Sequence, residues 1–332
     1  MKFNNSKSKL KKLILTTIFI LLPTFCFSAT GKYQDDKFSL VVNYTDTVTP
    51  GDAVFVRLSI QPYGELKKQK NIIAKNSVLE LKKDDKKIDQ AAFYSIPKQK
   101  KSNIIEVLAG IPLSTWLSNG EYSIKISFNI TENQYKEFTI PLTFTQKTFF
   151  EEVIELNEKN TEIKTDNSPK RAAQIDKLND IIFTTIPNDV YALGKMKVPT
   201  TSTRYTSYFG DRRTYTYTNG KSSTSIHHGN DYGVPTGTPI NSCAAGRVVM
   251  AEDRISTGYS IVIEHLPGLY SLYYHLSELL VKEGDMIKQG ELIGKSGATG
   301  LATGPHLHWE MRLNGASVRP EFFLDNFTFE QD

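Results

Sequence analysis

Six histidines occur in this 332-residue chain, and all of them lie at or beyond residue 227. Histidine is the commonest metal ligand and moves protons near neutral pH, so this clustering marks where chemistry could occur. The stretch IHHGNDYG, from Ile226 to Gly233, sets two histidines side by side, with a glycine and an aspartate following. Gly229 and the surrounding Gly and Pro residues argue against a helix, so the segment reads as extended. Residues an even number apart along a strand share a face. His227 and Asp231 are four apart and co-facial, whereas His228 and Asp231 are three apart and point oppositely. A second cluster, GPHLHWEMRL, alternates as a strand does, with His306 and His308 on one face and Leu307 and Trp309 on the other. Two strand rises separate that pair of backbones by about 7 Å. A third element, SLYYHLSELL, carries His275 beside Tyr273 and Tyr274 near the end of an apolar strand.

A hydrolytic zinc site takes three protein ligands of histidine and carboxylate type and leaves a fourth position for water. His227, Asp231 and one histidine of HLH complete such a set. No HExxH helix supplies the glutamate base of many zinc proteases. Proton transfer then falls to the spare histidine of HLH and to His275. Two histidines and a carboxylate also make the facial triad of non-haem iron oxygenases, a reading that leaves two histidines without a task. His228 and His265 are expected to be ordinary surface or core residues. Cys243 is expected to be a buried structural thiol, because a leader cleaved after Ser28 or Ala29 takes the second cysteine, Cys26, with it.

The elements that must position these groups form a mainly β chain. Residues 31–147 read as an N-terminal antiparallel β-sandwich, Ig-like, with one wet face. Val54, Val56, Leu58 and Ile60 share a face, as do Tyr122, Ile124, Ile126 and Phe128, and again Phe138, Ile140, Leu142 and Phe144. Residues 148–200 read as a helical connector. There Ser168 is an N-cap, Pro169 opens the first turn, and Ala172, Ile175, Leu178 and Ile182 lie along one face. Residues 201–328 return to strands punctuated by glycines. Residues 1–28 have the basic, apolar and small-residue parts of an export signal. That implies a periplasmic or envelope location, which is preferred to a membrane anchor because Pro23 breaks the apolar run. Without the five leader lysines, 35 basic residues face 36 acidic ones, a net of −1, and nothing argues for nucleic acid. Envelope proteins or polymers are the partners expected of the sandwich, whose Leu66–Glu106 stretch is rich in lysine.

The span from about Arg204 to Phe327 resembles the lysostaphin/LytM-type zinc endopeptidases, the duplicated-hybrid-motif enzymes that cleave peptide bonds of peptidoglycan. TSYFGDRR, HHGNDYGVPTGTPI, AAGRVV, YYHLS, VKEGDMIKQGELIGKSGATG and GPHLHWE stand in the family's order. The resemblance implies a small antiparallel β domain with its metal in a groove. It implies His227, Asp231 and His308 as zinc ligands and His275 with His306 as the catalytic pair, Tyr273 and Tyr274 assisting. Peptidoglycan peptides are the implied substrates. The alternative is a non-catalytic relative that activates a wall amidase, but such relatives generally lack zinc ligands that this chain keeps. VRPEFF departs from the acidic residue that many relatives carry before this proline.

Overall fold

The computed structural model describes residues 29–64, 77–97, 103–131, 134–324 and 328–329. The expected export leader lies outside them. Ten strands come first: β1 (Ala29–Gln34), β2 (Phe38–Tyr44), β3 (Thr47–Val48), β4 (Ala53–Pro62), β5 (Val78–Lys83), β6 (Lys86–Ala92), β7 (Tyr94–Ser95), β8 (Ile105–Pro112), β9 (Tyr122–Thr131) and β10 (Gln134–Phe144). They form two five-stranded sheets, ordered β1-β2-β4-β8-β7 and β3-β10-β9-β5-β6. Every pairing is antiparallel except the short β3–β10 ladder. Val54, Val56, Leu58 and Ile60 meet Ile124, Ile126 and Phe128 in one core between the sheets, as the alternation requires.

The expectation of a wet outer face fails for β4. Ala53 and Phe55, on its other side, are fully buried in the core of the C-terminal domain. Phe55 packs against Phe322, Phe323 and Phe329, the last with ring centroids 4.8 Å apart. Polar ties flank this contact. Arg319 clamps Asp52 through two nitrogens at 2.6 and 3.1 Å, which gives the departure before Pro320 a task in joining the domains. Arg57, buried beside them, donates to the Phe329 carbonyl and pairs with Glu106 at 2.8 Å.

The connector is less helical than expected. It opens with strand β11 (Glu151–Glu155), followed by helices α1 (Glu158–Thr165) and α2 (Pro169–Ile182). β11 pairs in parallel with β13 (Arg212–Thr216), which pairs with β14 (Ser222–Ile226), so the connector adds an edge strand to a C-terminal hairpin. The Ser168 hydroxyl caps α2 by accepting from Arg171 N at 3.2 Å. The apolar stripe expected of α2 is only partly used. Ile182 is buried and Leu178 packs beside it, while Ala172 and Ile175 face water. Polar contacts hold the rest, among them Lys177 to Glu252 at 2.6 Å and Gln174 to Ile255 N at 2.9 Å.

The remaining strands are β12 (Tyr205–Ser207), β15 (Asn230–Tyr232), β16 (Pro239–Asn241), β17 (Gly246–Arg254), β18 (Gly258–Leu266), β19 (Leu269–Leu279), β20 (Met286–Ile287), β21 (Leu292–Ser296), β22 (Leu307–Leu313) and β23 (Ala316–Val318). Their main path runs β12-β15-β22-β19-β18-β17-β20. Leu307, Trp309 and Met311 of β22 point into the core, so the even-numbered residues between them look the other way. Because Phe55, on a sandwich strand, is fully buried in the C-terminal domain's core, Phe55→Ala should destabilise the chain by about 3–5 kcal/mol. Denaturant unfolding should shift as a single transition; two separating transitions would show that the Phe55 contact does not couple the domains.

Candidate metal centre

Strand register places the candidate ligands. Ser207 on β12 lies opposite Asp231 on β15, Asp231 opposite His308 on β22, and His308 opposite Tyr274 on β19. Directly paired residues share a sheet face, so these four form one row. His227 is not on a strand with Asp231, as the extended reading supposed. It follows β14, and its backbone is pinned by His227 N to Asp211 O at 2.9 Å and Gly210 N to His227 O at 2.8 Å. The chain then bends to enter β15. A Cβ on Gly229 would lie 2.3 Å from the Trp309 carbonyl oxygen, so only glycine lets this bend pass so close to β22.

Three donors converge. His308 Nδ1 lies 2.7 Å from Asp231 Oδ1 and 2.9 Å from His227 Nε2, and His227 Nε2 lies 3.1 Å from Asp231 Oδ1. All three residues are buried. Their outer contacts set which nitrogen faces inward. His227 Nδ1 is 2.8 Å from the Tyr208 carbonyl, which only accepts, so that nitrogen carries the proton and Nε2 offers a lone pair. His308 Nε2 is 2.9 Å from Glu310 Oε1, so it donates outward and Nδ1 faces inward. Two imidazole lone pairs and a carboxylate oxygen thus point at one another, an arrangement that needs a cation or a proton between them. The donor set suits a metal ion with two nitrogens and one oxygen.

The surrounding charges tune this centre. Arg213 Nη2 reaches Asp231 Oδ2 at 3.0 Å. Burial opposes ionisation of Asp231, but the adjacent His227 and His308 outweigh it and hold the carboxyl well below the usual range. Burial also pushes His308 down, yet its contacts with Asp231 and Glu310 prevail and raise it to about 9. Glu310 is held ionised, despite burial, chiefly by Arg312, whose Nε and Nη2 lie 2.7 and 2.6 Å from Oε2.

Two more imidazoles border the donors. His306 Nε2 is 3.7 Å from Asp231 Oδ1, and His306 Nδ1 faces the Gly304 carbonyl at 2.8 Å. His275 Nδ1 faces the Thr299 carbonyl at 2.8 Å, which leaves Nε2 as a proton acceptor. The His275 ring lies 4.7 Å from that of His306 and 6.0 Å from that of His308. Burial, reinforced by these two neighbours, pushes His275 down to about 3, so it is neutral at ordinary pH. A bulge puts it there. Tyr259 pairs with Leu276 and Ile261 with Tyr273, so Tyr274 and His275 together oppose Ser260 alone. His275 takes a φ of +61°. The extra residue re-aims the strand, as bulges do, and turns both Tyr274 and His275 towards the centre.

Tyr274 stacks on His308 at 5.5 Å with the rings 5° apart. Tyr273 does not join them, contrary to the expectation that both tyrosines assist. It lies fully buried on the opposite face, with its hydroxyl bonded to Cys243 N at 2.9 Å and to Ser271 Oγ at 3.0 Å. Cys243 and His265 belong to that same interior, where burial pushes the thiol up to about 11 and the imidazole down to about 4. His228 is exposed and turns to Ser317 Oγ at 3.0 Å. Sequence reasoning missed Glu310, although its position two residues beyond His308 on a strand was a usable signal. It also missed Arg213, which nothing local connects to Asp231.

The centre is thus a buried group of two histidines and one carboxylate that could hold a metal ion, with two further imidazoles beside it. Residues 225–320 match the model of Peptidase family M23. Over 115 residues, or 35% of the chain, it is 39% identical to the peptidoglycan DD-endopeptidase ShyA of Vibrio cholerae, covering 26% of that protein. Over 95 residues, 29% of the chain, it is 42% identical to the DD-carboxypeptidase/endopeptidase Mpg of Neisseria meningitidis, covering 22% of it. The chain therefore spans about a quarter of the length of these curated relatives. The solved structure of a putative peptidase M23 from Pseudomonas aeruginosa aligns over 76% of this chain and 89% of that one, at 21% identity and a TM-score of 0.49.

Because His308 is raised to about 9, the metal-free centre holds a proton on it at neutral pH. A metal ion must displace that proton. Metal uptake by the apo chain should release about one proton between pH 6 and 8, and apparent affinity should rise about tenfold per pH unit up to about pH 9. Calorimetry in buffers of different ionisation enthalpy reads this directly. Uptake without proton release would mean that His308 is already neutral.

Proposed function

We propose that this chain is a zinc-dependent endopeptidase of the bacterial cell envelope that hydrolyses peptide bonds in the stems or crosslinks of peptidoglycan. The observation that carries the reading is the convergence of His227, Asp231 and His308 within 3.1 Å of one another, with His275 and His306 beside them. His227 Nε2, Asp231 Oδ1 and His308 Nδ1 hold the metal. Zinc bound there would acidify a water molecule and polarise the scissile carbonyl.

The chain's own residues do the rest. His306, closest to the ligand carboxylate, and His275, kept neutral by burial, form the proton-handling pair: they accept the proton of the attacking water and return it to the leaving amine. Their Nδ1 protons are committed to the Gly304 and Thr299 carbonyls, so each meets the substrate with Nε2. Tyr274, stacked on His308, fixes that ring's plane. Zinc is favoured over the redox-active iron that a two-histidine, one-carboxylate set also accepts, because the two additional imidazoles have a task in hydrolysis. Peptidoglycan as the substrate is supported by the peptidoglycan endopeptidases among the relatives. An envelope location follows from that substrate. Among the described residues no helix is long and apolar enough to cross a membrane.

The test uses the purified chain on purified sacculi. Release of soluble muropeptides should be abolished by a chelator and restored by zinc. His308→Ala should lose bound zinc and activity together. His306→Ala should keep zinc while activity falls about 10²–10⁴-fold. Undiminished activity in both variants contradicts the assignment.

A further inference from the structure

We propose that Glu152, contributed by connector strand β11, is a positioning residue for the metal centre, acting through Arg213 on Asp231. The inference rests on reading that centre as a zinc site. In the parallel ladder Glu152 lies opposite Arg213, and both side chains are on the sheet face that looks towards Asp231. Arg213 Nε bonds Glu152 Oε1 at 2.6 Å. Its Nη2 is divided between Asp231 Oδ2 at 3.0 Å and Ser207 Oγ at 2.5 Å. The guanidinium is a planar fork with fixed donor directions, so anchoring Nε on Glu152 dictates where Nη2 points. With Oδ2 thereby occupied, Asp231 cannot rotate its carboxylate, and Oδ1 is kept facing His227 and His308 at 3.1 and 2.7 Å.

The charges make the same point. Arg213 is nearly buried, with 12% of its side chain exposed, whereas Glu152 keeps 37%. A lone guanidinium at this place would face Asp231 alone and draw on the charge that the metal needs. Glu152 balances it, so the guanidinium orients Asp231 while competing less for it. The strand itself does not depend on this contact: β11 is held to β13 by a five-residue backbone ladder. Glu155, at the end of that strand, is exposed and offers a control. The connector is thus part of the metal centre, although it lies outside the stretch that matches the peptidase family. Partners of metal ligands are commonly worth 10–100-fold in metal affinity.

The experiment compares zinc dissociation constants of the full-length chain, measured by competition with a chromophoric chelator, beside the melting temperature of each metal-free protein. Glu152→Ala should weaken zinc binding about tenfold or more. Glu152→Gln, whose amide oxygen still accepts from Arg213 Nε, should lose less, with an unchanged melting temperature, and it decides the matter if the alanine variant unfolds. Glu155→Gln should bind as the unaltered chain does. If the unaltered chain binds zinc and both Glu152 variants match it, this proposal alone is overturned. If the unaltered chain takes up no zinc, the metal reading falls and this proposal falls with it.

Discussion

Gathering three metal-type donors in one place away from water is the constraint around which the C-terminal domain is arranged. Two imidazole nitrogens and a carboxylate oxygen are held about 3 Å apart, away from water, with their ring protons already committed outward. Without a metal ion, a proton on His308 bridges it to Asp231 at 2.7 Å. The three groups stay together because each is fastened from behind: His227 by the Tyr208 carbonyl, His308 by Glu310 and then Arg312, Asp231 by Arg213. The fold supplies these supports from distant parts of the chain. Ligand geometry is therefore a property of the whole sheet and not of a local motif.

The second feature is a further pair of imidazoles, His275 and His306, set beside the three donors. His306, just ahead of β22 and bridged to Gly297, approaches the same centre as His308, while Leu307 between them is buried in the core. On β19 alternation fails, since one of Tyr274 and His275 has to face the core. The bulge resolves the conflict by placing both opposite one residue, with His275 in the left-handed region. A non-glycine residue held there costs roughly 1–3 kcal/mol. The surrounding hydrogen bonds, including His275 N to Thr257 O at 2.9 Å, keep it in place.

Much of this was legible in the residues, and the reasons differ by element. Period-two patterning exposed the sandwich strands and the HLH strand, because one-sided burial imposes that period. His227 was preferred to His228 for the right pairing with Asp231, yet the supporting geometry differs: the segment bends at Gly229 and is not a continuous strand. Tyr273 and Tyr274 were indistinguishable because a bulge leaves no mark in a hydrophobic pattern. The wet face assigned to β4 was wrong because Phe55 answers to Phe322, Phe323 and Phe329, over 260 residues away. β11 was missed because an edge strand half in water, Glu151–Glu155, alternates too weakly to separate from a solvated linker. Arg213 was missed because its partners lie on β11, β12 and β15, which only the tertiary fold brings together.

The sandwich, connector and C-terminal domain are consequently one mechanical unit. Phe55 and the Asp52–Arg319 pair fasten the first to the third, and β11 ties the second into the sheet beside the centre. What all of this scaffolding holds together is the His227–Asp231–His308 group proposed to bind one ion. Anomalous scattering at the zinc edge, from crystals of the zinc-loaded chain, is the most direct measurement. A single strong peak within about 2.0–2.2 Å of His227 Nε2, Asp231 Oδ1 and His308 Nδ1 is the result expected. A metal bound elsewhere, or those three side chains turned apart around an empty space, would contradict the account.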